Sequence, residues 1–247
     1  MGAGTGDTAS TIQDQTSNNH DGTVNGASII GYNDGTASGS PVGIVIPEGS
    51  TEGRDNQGYY LSDTTTISNG ARFFQSEYIE VDDSEVLQNI FDGGGSVEAW
   101  IYAKDWGESN AGRIVSKCGS GNSNGWNFLI TSSGVLQFIV DWSTTDYNKT
   151  GGIISLNTWH HVAVTYNSTT AGVDAVLYID GSSITLSGTA SAGTVVSDAG
   201  QKIRIGARGT GLDREFNGLI DEVRLYDKIL SADEVSKNYT NGLGKHS

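Results

Sequence analysis

From about residue 71 to residue 226 the chain alternates short apolar runs with clusters of Gly, Ser, Thr, Asn and Asp. The runs are ARFFQSEYIEV, SVEAWIYA, GRIVSKC, WNFLIT, VLQFIVDW, TWHHVAVTY, AVLYIDG, KIRIGA and LIDEVRLY. Runs this short, rich in β-branched and aromatic residues and bounded by breakers such as TSSG, predict strands joined by tight turns. Several are apolar on both phases; Trp159, His161 and Ala163 alternate with His160, Val162, Val164 and Tyr166. A strand with that pattern is covered on both sides, which predicts two stacked antiparallel sheets. A helical period occurs once, in LSADEVSKNY, where Ser231 is placed as N-cap, Glu234 completes a capping box and Leu230 with Val235 forms a hydrophobic staple. One short C-terminal helix is therefore predicted. Residues 1 to 70 are Gly, Ser, Thr, Asn and Asp rich with weak periodicity. No repeat of 20 to 50 residues is visible, so a propeller or solenoid is disfavoured against a jelly roll.

Composition narrows the chemistry. The 247 residues fit one all-β domain, and 35 Gly against 2 Pro suit many tight turns. Cys118 is the only cysteine, which removes intrachain disulfides and C-x-x-C zinc or redox sites. With 14 Lys and Arg against 29 Asp and Glu, the net charge is -15, which repels phosphate backbones and anionic lipid heads. Nucleic acid is excluded as a natural partner. No apolar run is long enough for membrane insertion as a helix, and MGAGTGDTAS has neither the basic nor the apolar part of a secretory signal.

The order SVEAWIYA, TWHHVAVTY, LYIDG, FNGLIDEVRLYDKILSADEV resembles the laminin-G-like, concanavalin-A-like jelly-roll superfamily over residues 72 to 240. The resemblance implies an all-β sandwich of two curved antiparallel sheets, a single domain over 1–247 with 31–70 as an insertion and 241–247 as a tail. It also implies a structural Ca2+ ion and loops that meet glycans. In LIDEVRL the phase Leu219, Asp221, Val223, Leu225 aims a carboxylate toward the core side, where it needs an Arg, backbone N–H groups or a cation as partner. The resemblance implies calcium there, held by Asp221 with Asp14, Asn19 and Asp21 of the loop DQTSNNHDGTVNG. Gln15 and Thr16 depart from the Ser-Gly pair usual after that Asp.

Candidate ligand contacts come from two loops. In VDWSTTDYNKTGG, Trp142 and Tyr147 offer flat apolar faces beside Asp146, a combination that suits a sugar ring. In ARGTGLDREFNG, Arg208 and Asp213 supply charged groups near the strand that carries Asp221. His160 and His161 are strand neighbours that face opposite ways, so they cannot chelate one ion together, and packing is their expected role. Glu80, Asp82 and Glu85 match the E-x-D-x-x-E pattern of retaining glucanases of this fold, but the apolar phase stops at Val81 and DDSE reads as a turn. The expectation is a non-catalytic, calcium-stabilised carbohydrate-binding or adhesion module of a secreted, cell-surface or virion-surface protein, with a glycan as partner. A structural protein–protein interaction domain is the alternative, and a glycoside hydrolase or lyase comes third.

Overall fold

In the computed structural model, residues 11–12, 22–25, 28–29, 59–60, 78–169, 174–209, 214–244 and 246 are described. The strands run β1 (Thr11–Ile12), β2 (Gly22–Asn25), β3 (Ser28–Ile29), β4 (Tyr59–Tyr60), β5 (Tyr78–Val81), β6 (Gly95–Ala103), β7 (Arg113–Lys117) and β8 (Trp126–Ile130). They continue with β9 (Val135–Val140), β10 (Tyr147–Ile153), β11 (Trp159–Tyr166), β12 (Val176–Ile179), β13 (Ser182–Ser183), β14 (Ser187–Thr189), β15 (Ile203–Ile205) and β16 (Gly218–Tyr226). One helix, α1 (Ala232–Gly242), follows.

All pairings among these strands are antiparallel. One sheet has the order β1-β2-β5-β15-β7-β8-β9-β10-β14, the other β13-β12-β11-β6-β16-β4-β3. The sandwich predicted from the two-phase apolar strands is therefore present. Val97, Ala99, Ile101 and Ala103 of β6 point between the sheets with Val162, Val164 and Tyr166 of β11, against Phe128, Phe138 and Val140. Phe91 makes edge contacts with Trp126 and Phe138 at 5.4 and 5.1 Å between ring centroids. The TSSG turn closes between β8 and β9, with Gly134 N–H donating to Thr131 O at 2.9 Å. Gly134 sits at φ +75°, where a Cβ would run into the Trp106 indole, so both conformation and close approach require glycine.

β10 was not among the predicted strands. Its sequence, YNKTGGI, is polar because β10 has only the three-residue β14 between itself and the sheet edge, so most of its side chains are half-buried. Most of the 31–70 insertion lies outside the described residues. Tyr59–Tyr60 pairs with Leu219–Ile220 on one side and Ser28–Ile29 on the other, which ties that segment into the sheet.

The helix begins as predicted. Ser231 accepts from the Glu234 N–H and the Glu234 carboxylate accepts from the Ser231 N–H, while Leu230 and Val235 share a small apolar cluster with Ala163 and Tyr178. That cluster lies on the outer face of the β11–β6–β16 sheet. Gly242 lets the helix end approach Trp100, since a Cβ there would overlap the indole. Residues 241–247 were expected to be a tail. Instead His246 is buried, stacked on Trp100 with centroids 4.3 Å apart and planes 6° apart. Among the described residues no helix is long and apolar enough to cross a membrane.

Beneath the helix, Glu98 on the central strand is fully buried. Burial alone would raise its carboxyl, but contact with His161 and hydrogen bonds from Arg224 and Asn238 outweigh that and hold it at about 2. Arg224 Nη1, Tyr226 Oη and Asn238 Nδ2 donate to Glu98 Oε1 at 2.9, 2.8 and 3.0 Å. A folded value below the unfolded 4.5 gives stability that is complete above pH 4.5 and lost as pH falls toward 2, on the order of 3 kcal/mol. Urea unfolding followed from pH 6 to pH 2 should show this loss, and Glu98→Gln should be less stable at neutral pH with a flatter acid limb.

Candidate functional site

The loops at one end of the sandwich converge through arginine. Arg113, at the start of β7, donates from Nε to Asn127 Oδ1 at 3.0 Å, from Nη1 to Ala111 O at 2.8 Å and from Nη2 to Asn122 Oδ1 at 2.9 Å. Arg208 reaches the same Asn122 oxygen at 3.5 Å from the loop after β15. Arg214 donates from Nη1 to Ser109 O at 3.2 Å, and its N–H donates to the Glu108 carboxylate. Three loops, 104–112, 119–125 and 206–217 in its described parts, thus form one rim: Arg113 is buried beneath it as a brace, and the half-buried Arg208 and Arg214 bring two guanidinium groups to it in a chain of net charge -15. Trp106 stands half-buried in the first of them, flanked by Asp105 and Gly107. Asp105 holds that loop in shape by accepting from Gly107 N–H and from Asn217 Nδ2, the first at 2.7 Å.

Of the residues expected to meet a ligand, Arg208 lies on this rim and Asp213 lies outside the described residues. Trp142 and Tyr147 do not take part, and the expectation for both is corrected. Leu136, Phe138, Val140 and Trp142 occupy one phase of the chain, and that phase faces the core even beyond the end of β9. Trp142 is 4 % exposed and bridges to Val195, while its N–H donates to Asp146 Oδ1 at 3.1 Å. Tyr147 is fully buried, stacked on Tyr166 at 4.6 Å, with its hydroxyl accepting the Ala175 N–H at 2.6 Å. Asp146 itself is exposed and serves the turn between them. Trp106 was missed by the sequence reading although it carries the same signal, a Trp flanked by an acid and a small residue just past a strand.

The metal expectation divides in two. Asp14, Asn19 and Asp21 lie outside the described residues. Asp221 is buried, but not toward the core. A β-bulge between Asp221 and Arg224, with Glu222 at φ +47°, shifts the phase, so Ile220, Val223 and Leu225 face inward and Asp221 faces outward opposite Trp100. Its Oδ1 accepts the Glu222 N–H at 2.7 Å and its Oδ2 lies 3.0 Å from His246 Nε2. His246 Nδ1 lies 2.9 Å from Gly242 O, so the ring is held between the helix end and the Asp221 carboxylate. One partner of this carboxylate is thus the His246 imidazole, and among the described residues no group of three His, Cys, Asp or Glu is placed to hold a metal.

A cation of another kind is buried at the far side. Lys117 Nζ is surrounded by Asp83 Oδ1 at 2.8 Å, Asp198 Oδ1 at 3.1 Å, Asp198 O at 2.8 Å and Gln201 O at 2.8 Å. It belongs to the inner phase of β7, at the end of the sandwich, opposite Trp126 and Ile203. For the E-x-D-x-x-E pattern, β5 ends at Val81 and Glu85 begins a separate 3-10 turn, so the three carboxylates do not share one strand face. Glu80 is ion-paired to Lys202 and Arg204, both at 2.6 Å.

Two substitutions separate these roles. Trp142→Ala should cost about 3–5 kcal/mol in urea unfolding as a core truncation, whereas Trp106→Ala should cost less than half as much. Lys117→Met should cost about 3–5 kcal/mol, because it leaves Asp83 and Asp198 facing each other without the ammonium.

A search of curated protein sequences finds no match to the chain. Among solved structures, the binding domain of Paraclostridial Mosquitocidal Protein 1 is similar at 17% identity and TM-score 0.61, with 94% of this chain and 52% of that chain covered. The Botulinum Neurotoxin serotype G binding domain follows at 15% identity and TM-score 0.52, with 95% and 51% covered. A Trypanosoma rangeli sialidase matches at 11% identity and TM-score 0.57, with 97% and 32% covered. The chain spans about half the length of the two binding domains and a third of the sialidase. These likenesses show the fold. The sequence profile described as Laminin_G_3 matches residues 73–236. The chain belongs to the concanavalin A-like lectin/glucanases superfamily.

Proposed function

We propose that the chain is a carbohydrate-binding or adhesion module that meets its ligand, without chemistry on it there, at the rim formed by loops 104–112, 119–125 and the described parts of 206–217. The observation that carries this reading is the meeting of Arg208 with the buried Arg113 on Asn122, with Arg214 on the same loop as Arg208 and the half-buried Trp106 on the adjoining loop. Guanidinium groups offer forked donors to hydroxyl and carboxylate oxygens, and an indole face takes the apolar side of a sugar ring. The outer face of the β11–β6–β16 sheet is taken by α1, which leaves that face unable to receive a polymer without displacing the helix. Family membership and the toxin binding domains among its structural relatives support a binding role at a cell or particle surface.

Retention of the purified chain on a glycan array and on columns of the glycans it selects tests the reading. Arg208→Ala and Trp106→Ala should each lower retention at least tenfold while the melting temperature shifts by only a few degrees. Retention by a deglycosylated protein partner and by no glycan would favour the protein-contact alternative.

Calcium stabilisation is part of the proposal, through Asp221 and the loop holding Asp14, Asn19 and Asp21. An ion bound by the native state alone raises stability as RT ln(1 + [L]/Kd). Melting with calcium and with EDTA measures it. A lower melting temperature in EDTA, reproduced by Asp14→Asn, is the expected outcome; equal melting curves exclude the ion.

A further inference from the structure

Three side chains outside the rim form a hydrogen-bonded chain. Ser155, in the turn between β10 and β11, places Oγ 2.6 Å from His160 Nε2. His160 Nδ1 lies 2.8 Å from Asp180 Oδ2, and Asp180 Oδ1 accepts the His161 N–H at 3.0 Å. The aspartate is therefore fixed by the neighbouring strand and the imidazole is fixed by the aspartate. The backbone N–H of Ser155 also points at His160 Nε2, at 3.3 Å. Two donors aimed at Nε2 and a carboxylate at Nδ1 favour the tautomer with the proton on Nδ1, whose Nε2 lone pair is shared between the serine N–H and its hydroxyl.

Each partner has a local reason for its position. His160 ends the inner phase of β11, opposite Ile101, where the sandwich opens to its loops. Asp180 begins the Asp-Gly turn between β12 and β13, at φ +50° with Gly181 at φ +74°, as a tight hairpin requires. The two strands are adjacent in the sheet, so the turn delivers the carboxylate beside the imidazole. Ser155 is exposed, and the Leu156 N–H that follows it donates to no acceptor among the described residues. That N–H belongs to the residue after the hydroxyl, the position from which activated serines commonly receive an oxyanion donor.

We propose that Ser155 is an activated nucleophile, with His160 as its general base and Asp180 as the positioning residue, and that it accepts small acyl groups from esters. In that step Ser155 Oγ bonds to the ester carbonyl carbon and its proton passes to His160 Nε2. The carbon–oxygen ester bond breaks, and the leaving alcohol takes that proton. Water then attacks the acyl-serine, giving a proton to Nε2 that returns to Ser155 Oγ as the carboxylic acid departs. The half-buried Leu156, next in the chain, and Ile153, two residues before the serine and 74 % exposed, are the apolar side chains flanking it in sequence, short enough in reach to favour a small acyl group. An exposed hydroxyl fits an ester borne on a larger molecule.

The test is labelling with a fluorophosphonate, located by peptide mass spectrometry, together with hydrolysis of p-nitrophenyl acetate. Native protein should form one adduct at Ser155, at least 10²-fold faster than the same serine in urea-unfolded protein, the size of effect a positioned base supplies. His160→Gln and Asp180→Asn, checked for intact folding by near-UV circular dichroism, should lose most of that acceleration, and Ser155→Ala should abolish adduct and hydrolysis together. No adduct at Ser155 in native protein, or equal rates in native and unfolded protein, would overturn the proposal and leave the three side chains as a turn brace.

Discussion

The Glu98 carboxylate sits on the middle strand of a sheet, without solvent, and much of the surrounding architecture is arranged to neutralise it. Arg224 comes from β16, His161 from β11, Asn238 from α1 and Tyr226 from the strand end just before the helix. A buried charge of this kind is costly when any one partner is missing. The carboxylate consequently ties the C-terminal helix to the sheet: without α1 the face carrying Glu98, Trp100 and His161 would present a charge and an aromatic surface to water at once. The last turn of the helix and His246 extend the same cover over Trp100 and Asp221.

Much of the sandwich was legible because its strands are short, two-phased and separated by turn residues, and the capping box at Ser231 gave the helix start by itself. Other features were hidden by local exceptions to the period of two. Along LIDEVRL a regular strand would send Asp221 inward with Val223, but the bulge at Glu222 changes the phase between them, and no residue type in that run announces it. β10 escaped because its polarity reflects a position near the sheet edge. Trp142 is a different case. The alternation Leu136, Phe138, Val140, Trp142 was present in the sequence and assigned the indole to the core; the polar residues around it suggested a loop and obscured the phase.

The site was less legible than the fold because a rim is made by loops far apart in sequence. Asn122 joins Arg113 to Arg208 across 86 positions at its longer reach, a contact with no periodic signature. Trp106 carries the signal used to choose Trp142, and what separates the two is the phase: the alternation of β9 carries Trp142 into the core, while Trp106 is half-buried in a loop. Family membership accounts for the sandwich, whereas the arginines of the rim are brought together by loop contacts that no periodic pattern reports.

The ammonium of Lys117 has a consequence for the medium in which the protein can work. Two carboxylates and two carbonyls gathered at a chain turn make the kind of oxygen cage that usually depends on a dissolved ion. Here the positive charge is covalently tethered to β7. It is not diluted, exchanged or sequestered, and its occupancy is independent of the ionic composition outside. The end of the sandwich that joins the 82–88 and 197–201 loops should therefore keep its shape equally in hard water, in chelating fluids and in media poor in divalent cations.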